Sequence, residues 1–136
     1  MIVLDASGAL AIVLASQTTP ASEAFFSRPL QELIAPAIFA FEVRNALLRA
    51  ERRGLTGPDL VDLANERLGA LVELRAWSSR SHDLARLVSL ARREGLSLFD
   101  AAYLELAEHE SAAIASRDGP LLEAAERRGV QTHDLR

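Results

Sequence analysis

Residues 2–15 are IVLDASGALAIVLA, and this stretch decides the fold class. Ile2 to Leu4 form a short apolar run that ends in an acid. The segment from Ala6 to Ala15 has the aliphatic spacing of a helix that packs on a sheet. The pattern therefore predicts a strand, a turn at Asp5 and a helix.

The alternation of short apolar strands and helices continues along the chain. Further strands are predicted over 32–35, 72–75, 112–115 and 130–132. Helices are predicted from Pro20, over 37–53, from Pro58 to Leu71, over 80–94, from Ser97 to about Glu108, and over 120–128. This order predicts an α/β fold in one domain over residues 1–136, with a central, mostly parallel sheet of about four to five short strands flanked by helices.

Composition excludes several kinds of chemistry. The chain has 136 residues, is 49% hydrophobic and contains no cysteine, so disulfides, thiolate zinc sites and cysteine nucleophiles are excluded. All fifteen basic residues are arginine. Lysine bases, Schiff-base chemistry and the lysine of a phosphate-binding P-loop are therefore absent.

Charge and hydropathy bear on location and partners. Met1 leads directly into the first strand, and no apolar stretch reaches membrane-spanning length, so we expect a soluble cytoplasmic protein without membrane contact. The net charge of −4 argues against a general electrostatic attraction to nucleic acid. Any contact with nucleic acid must be local.

Four acids occupy positions that favour ligand binding. Asp5 and Asp118 follow predicted strands, Glu42 lies within a helix, and Asp100 follows Ser97 by three residues at a helix start. Open parallel sheets bind ligands at the carboxyl ends of their strands. Each acid also has a structural explanation, because Asp5 and Asp118 suit helix caps, Asp100 has capping-box spacing, and Glu42 suits an exposed helix surface.

Together the four acids suggest one pocket. Clustered carboxylates repel one another and stay ionised together when they bind a multivalent cation. All-oxygen ligands favour Mg²⁺ or Mn²⁺ over zinc. His82, His109 and His133 have no paired metal-ligand spacing, and surface or capping roles are predicted for them.

Four motifs carry a resemblance to a known family. They are VLDAS at 3–7, FEVRNAL at 41–47, LFDAAYL at 98–104 and ASRD at 115–118. In order and separation these motifs resemble the motif series of VapC-type PIN domains. The late helix from Leu121 to Arg128 and the closing Gly129-Val130 are similar as well, so the resemblance covers nearly the whole chain.

The resemblance implies a magnesium-dependent endoribonuclease. It assigns the catalytic pocket to Asp5, Glu42, Asp100 and Asp118, and supporting polar roles to Ser7, Asn45 and Ser116. It also implies a toxin of a toxin–antitoxin pair, usually dimeric, restrained by an antitoxin whose C-terminal segment lies over the active-site groove.

The expected reaction is hydrolysis of RNA phosphodiester bonds by metal-activated water. Asp5 and Asp100 are the expected principal metal ligands, with Asp118 completing the site and Glu42 holding the water or acting as its base. The number of metal ions stays open.

Two arginine clusters could hold the RNA backbone near the acids. One comprises Arg49, Arg52 and Arg53, and the other comprises Arg92 and Arg93. Solvated helix ends are the structural alternative for both clusters.

Three other functions were weighed. A receiver domain requires a lysine, which the chain lacks. A phosphatase with an aspartyl nucleophile is expected to have a second acid two residues after Asp5, where Ser7 stands. The surviving alternative is a catalytically weak PIN-fold module that binds a protein partner through the apolar helices at 37–50 and 60–71.

Overall fold

A single five-stranded sheet organises the molecule, and every strand pairing in it is parallel. The computed structural model describes residues 1–29, 32–75 and 81–136. The spatial order of the strands is β3-β2-β1-β4-β5. The strands are β1 Ile2–Leu4, β2 Leu33–Pro36, β3 Val72–Arg75, β4 Ala113–Ser116 and β5 Thr132–Asp134.

Seven described helices flank this sheet. They are α1 Ala6–Val13, α2 Pro20–Phe26, α3 Phe39–Arg52, α4 Pro58–Leu71, α5 Ser81–Glu94, α6 Leu98–Glu110 and α7 Gly119–Arg127. None of the helices in the described ranges is both long and apolar enough to span a bilayer. The predicted α/β class and parallel sheet are confirmed.

The core is built around the central strand and one helix. All three residues of β1 are buried, as is usual for parallel strands covered on both faces. Helix α6 packs against β1, β2 and β4, and most of its residues from Ala101 to Ala107 are buried. The first turn of α6 is thereby held beside the carboxyl ends of the central strands.

Gly8 permits the close approach of α1 to the sheet. A Cβ at this position would lie 2.9 Å from Leu4 Cδ1 and 3.1 Å from both the Ala115 carbonyl oxygen and Leu135 Cδ1. Those distances are shorter than ordinary van der Waals contact. A glycine is therefore needed for the first turn of α1 to sit directly on β1 and β4.

The central register brings two predicted acids to one edge of the sheet. Leu4 pairs with Ala115, and the Asp5 backbone N–H continues the ladder to the Ala115 carbonyl at 3.2 Å. Parallel strands end on the same side, so the turns after β1 and β4 are neighbours. Asp5 and Asp118 lie in these two turns.

Element ends differ from the prediction near the carboxyl terminus. Strand β5 begins at Thr132 rather than 130, because Gly129 has a φ of 75° and the Val130 N–H bonds the Ala125 carbonyl to close α7. Similarly, α6 continues to Glu110, and the Ala112 N–H closes that helix, so β4 begins one residue later than predicted. Turn closure used residues that apolarity alone assigned to strands.

Two further points concern the remaining sequence interpretation. A short 3₁₀ turn over Ala15–Gln17 follows α1 and was not predicted. Trp77 and the predicted helix start at Arg80 lie outside the described residues.

Candidate active site

Asp5 lies at the carboxyl end of β1 and has two structural roles. It is the N-cap of α1, where its Oδ1 accepts a hydrogen bond from the Gly8 N–H at 2.8 Å, and it is 5% exposed. The Ser7 hydroxyl also donates to this carboxylate at 2.9 Å. Burial raises the pKa of Asp5 to about 6, although hydrogen bonds from Gly8, Ser7 and Ser116 oppose the rise.

Two serines join the turn after β1 to the turn after β4. The hydroxyl oxygens of Ser7 and Ser116 are 3.4 Å apart. Ser7 Oγ accepts from the Arg117 N–H at 2.9 Å, and Ser116 Oγ accepts from the Asp118 N–H at 2.8 Å. The serines therefore hold the two acid-bearing turns in a fixed relation.

Asp118 is the N-cap of α7. Its Oδ1 accepts from the Leu121 N–H at 2.8 Å, so the capping role suggested by the sequence is present. Its charge also reaches Asp100, whose pKa it helps to raise. Capping and membership of the acidic cluster are both features of this residue.

Asp100 lies in the first turn of α6, beside its cap. Ser97 Oγ accepts from the Asp100 N–H at 3.0 Å, and the Ser97 hydroxyl lies 2.6 Å from Oδ2 of Asp100, to which it donates. Burial is the main reason why the pKa of Asp100 is raised, and the charge of Asp118 adds to that rise. The hydrogen bonds from Ser97 partly oppose it.

Glu42 faces the same cluster from the first turn of α3. It is partly buried, and its Oε2 accepts a hydrogen bond from the Tyr103 hydroxyl at 2.5 Å. Burial raises the pKa of Glu42, Tyr103 lowers it, and the charge of Asp100 raises it. The carboxylate thus belongs to a shared electrostatic environment.

Tyr103 lies among the acids and was not singled out from the sequence. It is 1% exposed, and its pKa is raised by burial, by the bond to Glu42, and by the charges of Glu42, Asp5 and Asp100. A signal was available, because Tyr103 follows Asp100 by three residues and so shares its helix face. Its apolar neighbours made a core role the simpler interpretation.

The structure therefore brings the four predicted acids into one electrostatic cluster. Glu42, Asp100 and Asp118 are linked by mutual repulsion, and Asp5 joins them around the Tyr103 hydroxyl. Among the residues that the structure describes, no three acidic or histidine side chains are arranged as a ready-made set of metal ligands. The cluster is an acidic pocket rather than a closed metal cage.

The remaining candidate residues lie in varied places. Ser7 and Ser116 contact the pocket as described above, whereas Asn45 is an exposed residue of α3. His109 is exposed near the end of α6, and His133 on β5 packs against the ring of Phe25. The side chain of His82 lies outside the described residues.

Both arginine clusters are exposed at helix ends. Arg49, Arg52 and Arg53 lie at the carboxyl end of α3, and Arg92 and Arg93 at that of α5. The last turn of α3 lies roughly 15 Å along the axis from Glu42, at about 1.5 Å of rise per residue. Cations at this end are also favoured by the helix dipole.

Fold and site together define a parallel α/β protein with a carboxylate pocket at the carboxyl ends of its central strands. The PIN domain model matches residues 2–127 of this sequence. The chain belongs to the PIN domain family, and the resemblance stated above is confirmed.

Similar proteins agree with this assignment. Ribonuclease VapC3 of Pyrobaculum aerophilum is 30% identical over 122 residues, which cover 90% of this chain and 92% of that protein. The crystal structure of Mycobacterium tuberculosis VapC20, a Sarcin-Ricin loop cleaving toxin, has a TM-score of 0.65 at 18% identity and covers 91% of this chain and 95% of its own. The structure of FitAcB from Neisseria gonorrhoeae has a TM-score of 0.63 at 20% identity, with coverages of 98% and 97%.

Proposed function

We propose that this protein is a Mg²⁺- or Mn²⁺-dependent endoribonuclease and the toxin of a VapBC-type toxin–antitoxin pair. The observation that carries the proposal is the electrostatic coupling of Glu42, Asp100 and Asp118 beside the buried Asp5. A fold that needed these acids only as caps would gain nothing from placing them within reach of one another's charge. The ribonuclease name of the relative from Pyrobaculum aerophilum agrees with this function.

The donor set fits a hard divalent cation. Every acid in the pocket offers carboxylate oxygens, and the raised pKa values of Asp5, Glu42 and Asp100 mean that a cation would relieve both burial and repulsion. Magnesium commonly takes one or two carboxylates, keeps several waters and accepts phosphate oxygens. A pocket without a three-residue ligand set suits that habit.

In the proposed mechanism Asp5 and Asp100 hold the cation and Asp118 completes the acidic wall. When bound, the cation activates water and offsets the charge that develops on the phosphate. Glu42 accepts the proton of the attacking water through Oε1, since Oε2 already accepts from Tyr103. Ser7 and Ser116 keep Asp5 and Asp118 in position during the reaction.

The proposal includes the expected partners. The RNA substrate implies a cytoplasmic location, and the relatives support a VapB-type antitoxin and a homodimer as further parts of the proposal. Apolar side chains that such partners could cover are exposed on α3 and α4, namely Leu48, Leu60 and Leu63. A catalytically weak binding module would use the same side chains.

The test is cleavage of total cellular RNA with Mg²⁺, Mn²⁺ or a chelator, followed by mapping of the new RNA ends. Native protein is compared with Asp5→Asn and with Asp62→Asn, which changes an exposed aspartate of α4. We expect metal-dependent cuts from native protein and Asp62→Asn, and none from Asp5→Asn. Identical RNA patterns from native protein and Asp5→Asn would reject the nuclease and favour the binding module.

A further inference from the structure

Two exposed phenylalanines lie beside the acidic pocket. Phe41 is 75% exposed and immediately precedes Glu42, and Phe99 is 50% exposed and immediately precedes Asp100. The other aromatic side chains in the described ranges are buried or partly buried. The described ring contacts join Phe25 with Phe26 and with His133, so Phe41 and Phe99 have no aromatic partner there.

The two rings belong to helix starts that face the same pocket. Phe41 is in the first turn of α3 and Phe99 is in the first turn of α6. The charge of Asp100 reaches Glu42, so these two turns are close to each other. An apolar ring therefore stands next to each of two acids that the proposed nuclease uses.

Exposure of these rings is unfavourable unless something covers them. A phenylalanine in water gives up the free energy that burial of its apolar surface would provide. Other positions in these first turns are buried, for example Phe39 and Ala101, so the fold has apolar positions available in the core. The exposed rings thus serve a contact outside the folded chain.

Electrostatics indicates which part of an RNA that contact is. A pocket of four carboxylates repels the phosphates of RNA, and the chain as a whole has a net charge of −4. The arginine cluster on α3 is at the far end of that helix. Binding energy near the pocket must then come from groups other than cations, and nucleobases stack on aromatic rings without regard to charge.

We propose that Phe41 and Phe99 form a stacking platform for unpaired bases that flank the scissile phosphate. The inference rests on the proposed ribonuclease function and adds to it a substrate class, single-stranded RNA with at least one base splayed from its neighbours. The rings position the strand, and the acids act on the phosphate between the bases. Duplex RNA, whose bases are stacked on each other, is a poor substrate.

The test uses the RNA segment that the mapped ends identify, made as a short single-stranded oligonucleotide. A series of oligonucleotides carries one abasic residue at each position around the cut. KM and kcat are measured for native protein, Phe41→Ala, Phe99→Ala, Phe41→Trp and Leu55→Ala. Leu55 is 63% exposed and follows the far end of α3, so its truncation removes exposed apolar surface away from the pocket.

We expect KM to rise roughly 10- to 100-fold in each Phe→Ala variant, in keeping with the strength of base–aromatic stacking. Leu55→Ala should match native protein, and Phe41→Trp should retain the native KM. One abasic position should raise KM for native protein yet cause no further loss in Phe41→Ala, because ring and base act as one contact. Folding of every variant is checked by thermal unfolding.

Other results would overturn the inference and leave the nuclease intact. Native cleavage with unchanged KM in both Phe→Ala variants would show that the rings do not touch RNA. A Phe→Ala variant that loses self-association in sedimentation, with KM unchanged, would assign the rings to a protein interface. Absence of cleavage by native protein would instead reject the proposed function, and the stacking platform with it.

Discussion

The hydroxyl of Tyr103 on α6 donates a hydrogen bond to Oε2 of Glu42 on α3, linking residues 61 positions apart in the sequence. The tyrosine is buried and the glutamate is partly buried, so water cannot readily replace this bond. The contact fixes a carboxylate of the pocket from the core side. It makes the position of Glu42 depend on the packing of α6.

Tyr103→Phe should weaken both stability and catalysis. The variant leaves Glu42 without its donor, which should lower the free energy of unfolding by about 1 to 2 kcal/mol. Because Tyr103 lowers the pKa of Glu42, its loss raises that pKa further, and the acid limb of the cleavage profile should move to higher pH. Denaturant unfolding and a pH series measure the two effects.

Glu42→Gln is the partner variant for a double-mutant cycle. The two substitutions share one contact, so their combined cost should be less than the sum of the single costs. Strictly additive unfolding energies would mean that the hydrogen bond contributes nothing.

Stability of the metal-free protein should fall as pH rises from about 4 to 7. Burial raises the pKa of Asp5 from 3.8 to about 6, so the folded state binds the proton more tightly than the unfolded state. The advantage is present below the unfolded pKa and is lost as pH rises through the folded one. The expected change is about 2 kcal/mol, measured by urea unfolding across this range.

Asp5→Asn should flatten this pH dependence, since its side chain does not titrate. Asp62→Asn, at an exposed position, should retain the native slope. Equal slopes in all three proteins would assign the pH dependence to other groups.

Asp100→Asn should raise the melting temperature of the metal-free protein. The amide oxygen can still accept from Ser97, while repulsion with Asp118 and Glu42 is removed, so we expect a gain of about 0.5 to 1 kcal/mol. Added Mg²⁺ should stabilise native protein more than this variant, and RNA cleavage should be lost. Calorimetry with and without Mg²⁺ measures both effects.

Ser97→Ala separates the cap from the acid. Removing the N-cap hydroxyl should destabilise the protein by about 1 kcal/mol. If Asp100→Asn destabilised the protein as much as Ser97→Ala does, the role of Asp100 would be that of the capping box alone.

Gly8→Ala should destabilise the protein by about 1 to 3 kcal/mol. The added methyl would collide with Leu4 and the Ala115 carbonyl, pushing the first turn of α1 away from the sheet. The Gly8 N–H that holds Asp5 would move with it. Thermal unfolding gives the stability, and cleavage assays give the effect on the site.

Gly69→Ala is the matched control on α4. A Cβ there meets nothing within 4 Å, so the substitution should stabilise the helix by about 0.5 to 1 kcal/mol. A Gly8→Ala protein as stable as Gly69→Ala would show that α1 can adjust without cost.

The fold was largely predictable because its strands are short apolar runs with acids or turn residues at their ends. The strand at Ile2 to Leu4 and the helix starts at Pro20, Pro58 and Ser97 were located correctly, since apolarity and caps are local signals. The position of β5 was not predicted correctly. Closure of α7 depends on backbone hydrogen bonds that composition does not encode.

The site was predictable as a set of residues but not as a network. Position in the sequence identified Asp5 and Asp118 at strand ends, whereas Tyr103 looked like a core residue because its neighbours are apolar. Likewise, Phe41 and Phe99 were recorded only within motifs. Which way a ring on a helix points depends on tertiary packing, and that decides between core and surface.

The contact between Ser7 and Ser116 spans 109 residues, and it has a consequence for the timing of activity. A growing chain carries Asp5 and Glu42 early, but Asp118 and its serine appear only after β4 has been synthesised. Until then the central strand lacks its β4 neighbour, and the pocket has no second wall. Under the proposed function, a ribosome making this protein is shielded from it by the order of synthesis, since RNA cleavage begins only after β4 folds against β1.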